Sequence, residues 1–214
     1  MSAPKTPSWR IVVPVKDSAG AKSRLHPPPG IRRADLAHAF ALDTVAAVAQ
    51  AVPAAHLHVV TADSATASFA VGLGARVVAD PGGGLNSAIR AGLQHVSATS
   101  GDGPVGVLLG DLPTVTPAAL SLALQACGRH DTAFVPDAEG TGTVLLTARA
   151  LADLVPAFGA DSAAAHARRS TRLELDLPLL RSDVDDDVAL GRAIALGVGP
   201  RTAAVLACDC ARLA

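Results

Sequence analysis

Aromatic residues are scarce in this chain: they make up 2% of it, as four Phe, one Trp and no Tyr. With so few large rings, the half of the sequence that is hydrophobic must pack through Ala, Val and Leu. Those residues are the usual material of a buried parallel sheet under Ala-rich helices. An excess of positive charge is also missing. Eighteen Lys and Arg stand against nineteen Asp and Glu, a net charge of -1, which argues against a nucleic-acid-binding surface. No segment reaches the ~18 consecutive apolar residues of a membrane span. Residues 1–10, MSAPKTPSWR, lack the basic start and apolar stretch of a secretion signal. Three cysteines do not make a disulfide framework. These absences predict a reduced, cytoplasmic protein with neither a nucleic-acid nor a membrane partner.

What is present is an alternation. At 214 residues the chain suits one domain, expected to span 1–214 with flexible tails at 1–9 and 207–214. Short β-branched or wholly apolar runs at 10–15, 57–61, 75–79 and 105–109 read as strands. Helical spacing appears at 31–52, ended by Pro53, in a short Ala-rich segment capped by Ser64, at 85–96 and at 117–127. Later come strands near 132–135 and 142–146, a helix around 162–169, a strand near 173–175 and a last helix from Asp186. The pattern predicts an α/β fold, a mostly parallel sheet flanked by helices, with no linker or internal repeat dividing it.

In such a sheet, ligands bind beyond the carboxyl ends of the strands, and three segments with chemistry fall there. The first, PVKDSAGAKSRL, puts Lys16, Lys22 and Arg24 among small residues just after the first strand. Lys and Arg neutralise phosphate, and small residues let a backbone approach an anion; a solvated loop has the same composition. It is not a Walker loop, and Gly72-Leu-Gly74 precedes a strand, so it is not a dinucleotide fingerprint. The second segment is acidic. Asp111 follows the most apolar strand, and Asp183, Asp185, Asp186 and Asp187 crowd 183–187. Such hard oxygen ligands suit Mg²⁺, although Asp185 to Asp187 also read as a helix cap. Asp183 and Asp185 alternate on an extended chain and should point to one side. The third comprises EGTGT (139–143) and FGADSAAAH (158–166), whose hydroxyls and helix-opening amides could hold an anion; a β-turn and an ordinary N-cap are the plainer alternative. Cys127 with His130, and Cys208 with Cys210, do not amount to a zinc site.

Taken in order, PVK, AKSRL, LNSAI, GDLP, GTGT, FGADSAAAH and DVDDDVAL resemble the guanylyltransferases of coenzyme F420 biosynthesis, especially the actinobacterial members. The likeness runs from about 12 to 190. The resemblance implies a single-domain Rossmann-like nucleotidyltransferase of the glycosyltransferase-A type. It implies GTP as donor and Mg²⁺ as cofactor. The acceptor would be a small phosphorylated three-carbon acid: phosphoenolpyruvate by preference, otherwise 2-phospho-L-lactate or 3-phosphoglycerate. The product would pass to the next transferase of the pathway. Carried over, Lys16, Lys22 and Arg24 hold GTP phosphates and Asn86 lies by the nucleotide. Asp111, Asp183 and Asp185 bind metal, while Thr143, Gly159 and Ser162 grip phosphoenolpyruvate. Lys16, Lys22 and Asp111 are the expected catalytic set. His166, one turn past Ser162, is expected to serve structure rather than chemistry. Two departures from the family, Pro27 to Pro29 and the Gly82 to Gly84 turn, bear on the nucleotide pocket. Molybdenum-cofactor and sugar-phosphate transferases open with a Gly-rich loop where this chain has Pro14-Val-Lys16, which disfavours them. A non-catalytic nucleotide-binding protein of the same fold is the remaining alternative.

Overall fold

The computed structural model describes residues 8–16, 24–99 and 102–207. Seven strands form one sheet in the order β3-β2-β1-β4-β6-β5-β7. β1 (Arg10–Val15), β2 (Leu57–Thr61) and β4 (Val105–Leu108) are buried at every position, as their continuous apolar runs require. β3 (Arg76–Ala79) completes one edge. β5 (Thr132–Pro136), β6 (Thr143–Ala148) and β7 (Thr171–Arg172) extend the other. Only β6 runs against its neighbours; every other pairing is parallel. The chain lays β2 and β3 to one side of β1 and then returns to place β4 on the other. That reversal opens a crevice beyond the carboxyl ends of β1 and β4.

The side-chain period of two divides the core into layers. Ile11, Val13 and Val15 pack beneath α1 (Arg33–Ala51) and α4 (Pro117–Cys127). Val12 and Val60 face the other way, onto α3 (Leu85–Thr99). A side chain at Gly92 of α3 would collide with Val12, so this glycine sets how closely the helix rides on the sheet. A third cluster matters more for function. Leu36 and Phe40 of α1 pack on Val184, Ala189 and Leu190, which lead into and begin α7 (Asp187–Leu196).

The longer expected elements are present, and the short ones shift. Asp63, not Ser64, caps α2 (Ser64–Gly72), accepting from Thr66 N at 2.8 Å. α5 is only Ser162–His166 instead of reaching 169. The strand expected at 173–175 lies two residues earlier as β7, although Leu173 N still reaches Phe134 O (2.9 Å). α6 (Pro178–Arg181) and α8 (Pro200–Ala207) are too short for the sequence to single them out as helices. α8 docks through buried Asp43, whose carboxylate accepts from Arg201 N (3.1 Å) and Thr202 N (2.8 Å). Trp9, expected in the N-terminal tail, is instead buried in the core, because apolar surface of that size cannot be left in water cheaply. No helix among the described residues is long and apolar enough to cross a membrane.

Candidate active site

The crevice at the strand switch is a cleft of about 870 Å³ with two unlike walls. The first wall grows from β1 and β4. Lys16 follows β1 and Asp111 follows β4, and both border the cleft. Gly110 makes that juxtaposition possible, since a Cβ there would sit 2.7 Å from Pro14 O. Buried Thr44 of α1 steadies the loop, accepting from Leu112 N at 3.1 Å while donating to Phe40 O at 2.8 Å. Val184 N donates to Asp111 O (3.3 Å), and its side chain is sunk against Leu36 and Phe40. With Val184 inward, the flanking Asp183 and Asp185 both border the cleft. Asp186 caps α7 by accepting from Ala189 N at 2.9 Å. Arg24 meets Asp185 at 3.5 Å with both side chains mostly exposed, an arrangement worth little stability by itself.

The second wall is the β5–β6 hairpin and the loop before α5. Asp137, only 8% exposed, organises the turn: its carboxylate accepts from Thr141 N (3.0 Å) and Gly142 N (2.7 Å). A side chain at Gly142 would collide with that carboxylate. Arg181 grips the Asp137 carbonyl from behind at 2.8 Å. Thr143 Oγ1 lies 2.9 Å from His166 Nδ1, and His166 Nε2 accepts from Ala157 N at 2.9 Å. Burial pushes the His166 imidazole down to about 4. Asn86 holds the same loop from the other side: its Nδ2 donates to Phe158 O (2.7 Å), and Phe158 N donates to its Oδ1 (3.0 Å). Asp161 sits at φ 53°, in the left-handed region a side chain seldom adopts. Ser162 and Gly159 border the cleft beside it.

Between the walls lies an acidic group. Asp137, Glu139 and Asp183 offer carboxylate oxygens within 4.8 Å of one another, close enough for a single cation to span. Glu139 is also paired with Arg192 of α7.

Residues 34–176 match the model of the MobA-like NTP transferase domain. A phosphoenolpyruvate guanylyltransferase of Streptomyces coelicolor is 49% identical over 205 residues, spanning 93% of this chain and 96% of that protein. Another, from Streptosporangium roseum, is 42% identical over 208 residues, spanning 96% and 94%. The chain belongs to the phosphoenolpyruvate guanylyltransferase family. It is therefore an enzyme of the nucleotidyltransferase kind, and such an enzyme acts on a nucleotide and a phosphorylated substrate. The fold agrees with solved nucleotidyltransferases. One from Methanothermobacter thermautotrophicus superposes with a TM-score of 0.56 at 21% identity, covering 86% of this chain and 95% of that one. A Mycobacterium tuberculosis protein solved with manganese gives 0.53 at 20% identity, covering 88% and 99%. The match to the broad domain begins at residue 34, past the basic segment that lacks the Gly-rich opening loop.

The cleft of this family member gathers Lys16, Arg24, Asp111, Asp183 and Asp185 on its first wall, and Thr143, Gly159 and Ser162 on its second. Lys22 lies outside the described residues, as do Cys208 and Cys210. Asn86 stands between Leu85 and the Phe158 backbone, which both border the cleft, and its amide group bonds that backbone. Two expectations change. The amides opening α5 are already engaged, Ser162 N with Gly159 O (3.2 Å) and Ala163 N with Thr141 O (3.0 Å). One turn of helix with these amides engaged does not present a free N-terminus, so Ser162 has its hydroxyl to offer. Among the described residues, the carboxylate group gathered within 4.8 Å shares only Asp183 with the expected trio of Asp111, Asp183 and Asp185. Asp137 escaped sequence reading because its partner amides are four and five residues away, a turn signal that composition does not distinguish from any hairpin.

Proposed function

We propose that this enzyme transfers GMP from GTP to phosphoenolpyruvate, giving enolpyruvyl-diphospho-guanosine and pyrophosphate, as a cytoplasmic step of coenzyme F420 biosynthesis. The observation carrying this reading is the meeting, in one cleft, of the Lys16 and Arg24 cations with a cluster of carboxylates and with the Thr143 and Ser162 hydroxyls. The identity of 49% to a protein named for that reaction supports the choice of acceptor.

The acceptor's phosphate is ionised near neutral pH and needs no general base. One of its oxygens attacks the α-phosphorus of GTP, and the bond from that phosphorus to the β-phosphate oxygen breaks to release pyrophosphate. The obstacle is repulsion between two anions. Lys16, Lys22 and Arg24 offset it by neutralising charge along the triphosphate. Asp111, Asp183 and Asp185 are the residues we assign to Mg²⁺, with Asp137 and Glu139 close enough to Asp183 to share in holding it. When bound, Mg²⁺ supplies further neutralisation of phosphate charge. Thr143, Gly159 and Ser162 hold the acid, the hydroxyls donating to its oxygens and the bare Gly159 backbone allowing close approach. The product then passes to the next transferase of the pathway.

The test is pyrophosphate release by the purified protein with GTP, Mg²⁺ and one acid at a time. Turnover with phosphoenolpyruvate well above that with 2-phospho-L-lactate or 3-phosphoglycerate is expected. Preference for either of the other acids would overturn the choice of acceptor, and no release with any would favour a binding protein. Lys22→Ala should weaken GTP binding by about 10-fold or more while leaving the thermal midpoint unchanged. An unaltered affinity would return the basic segment to a solvated loop.

A further inference from the structure

His166 lies outside the chemistry just described, yet it is better enclosed than most polar groups in the protein. The residue is 3% exposed and sits between two rings, with centroids 5.9 Å from Phe134 and 4.9 Å from Phe158. Its two nitrogens have different partners. Ala157 N–H can only donate, so Nε2, at 2.9 Å, must be the bare nitrogen. The ring proton is therefore on Nδ1, and Nδ1–H donates to Thr143 Oγ1 at 2.9 Å. A hydroxyl that accepts from one neighbour still has its own hydrogen to place. Thr143 is 2% exposed and borders the cleft, so that hydrogen has the cleft to point into.

We infer that His166 is a positioning residue: by holding one tautomer it makes the Thr143 hydroxyl a fixed donor toward an anionic oxygen of the acceptor acid. The inference rests on the proposed acceptor site and deepens it. The same imidazole anchors Ala157, and Asn86 anchors Phe158, so the strand of backbone reaching Gly159 is pinned from two sides. The wall that meets the acid is thus set before the acid arrives, which spares the ordering cost of binding. Burial keeps the ring neutral through the working pH range, so the donor direction does not reverse with protonation.

The test uses His166→Phe, which keeps the ring packing and loses both hydrogen bonds, and His166→Asn, whose amide can restore a donor near Nδ1. His166→Phe should raise KM for phosphoenolpyruvate by about 10-fold or more and leave KM for GTP within about twofold, the loss of one buried hydrogen bond to an anion. His166→Asn should recover part of that loss. Adding Thr143→Val to His166→Phe should cost little more, because both act through one hydroxyl. Equal rises in both KM values, or full additivity of the two substitutions, would overturn the inference. A second readout needs no turnover. Imidazole nitrogen NMR of the folded protein should show Nδ1 protonated and Nε2 bare, without titration between pH 5 and 8. The opposite tautomer, or a midpoint near 6.5, would refute the inference whatever the substrate proves to be.

Discussion

The two walls of the cleft solve different problems. The first carries full charges, Lys16, Arg24, Asp111, Asp183 and Asp185, on loops anchored from behind by Thr44 and Val184. Its cleft-facing pair, Arg24 with Asp185, is exposed and loosely matched at 3.5 Å. The second wall bears Thr143 and Ser162, and the carboxylate, amide and imidazole groups behind them are tied to backbone N–H groups and to the Thr143 hydroxyl by bonds of 2.7 to 3.0 Å. Lys16, Arg24 and Asp185 stand in reach of solvent, which suits the proposed binding of a charged nucleotide and a metal. A wall proposed to distinguish small acids by a few atoms gains from being rigid beforehand, since unpaired buried polar groups penalise the wrong ligand.

That contrast can be broken most sharply on the charged side. Asp183→Asn should lower turnover by about 100-fold to 1,000-fold while the circular dichroism spectrum is unchanged, because charge stabilisation in the transition state is lost. A loss smaller than about threefold would remove Asp183 from the metal site. On the hydroxyl-bearing wall, Ser162→Asp should raise KM for phosphoenolpyruvate by about 100-fold through repulsion, and Ser162→Ala by about 10-fold, with GTP binding little altered. If both variants bind the acid like the parent, the acceptor is held elsewhere.

Smaller effects separate rigidity from charge. Asp137→Ala strips an acceptor from two backbone amides in the turn and should destabilise the metal-free protein by about 2 kcal/mol in urea unfolding. No change in stability would mean the turn holds itself. The imidazoles of His166 and His58 are both pushed down to about 4 by burial, His58 with help from neighbouring His95. In the unfolded chain they titrate near 6.5, so between the two values the unfolded state binds more protons. Their contribution is thus complete above about 6.5 and is lost as the pH falls toward about 4. Urea unfolding at pH 7 and pH 5 should show this decline, and His166→Phe should make it shallower; an equal slope in parent and variant would mean that His166 is solvated. The smallest effect is expected of Asn86→Ala: a modest rise in KM for the acid, about threefold, with KM for GTP unchanged. A selective rise for GTP would place Asn86 in the nucleotide pocket.

Much of the charged wall is legible in the sequence because its residues stand directly after apolar strands. Val105–Leu108 leads to Asp111, and Arg10–Val15 leads to Lys16. Even the alternation of Asp183, Val184 and Asp185 can be read locally, since an extended chain has period two whatever surrounds it. The hydroxyl-bearing wall is far less legible. The role of Asn86 depends on Phe158, seventy-two residues away, and that of His166 on Thr143, twenty-three away. Neither pairing leaves a mark in spacing or composition.

Alternating apolar runs and helical spacings, each a local property, determined by themselves the α/β class, the longer elements and the strand ends where charge collects. The order of the strands, the lone antiparallel β6, the seating of Val184 under α1, and the pairing of His166 with Thr143 were decided by tertiary structure. The physical reason is that buried polar groups must find partners wherever the packed core happens to bring them, at sequence separations that no local pattern encodes.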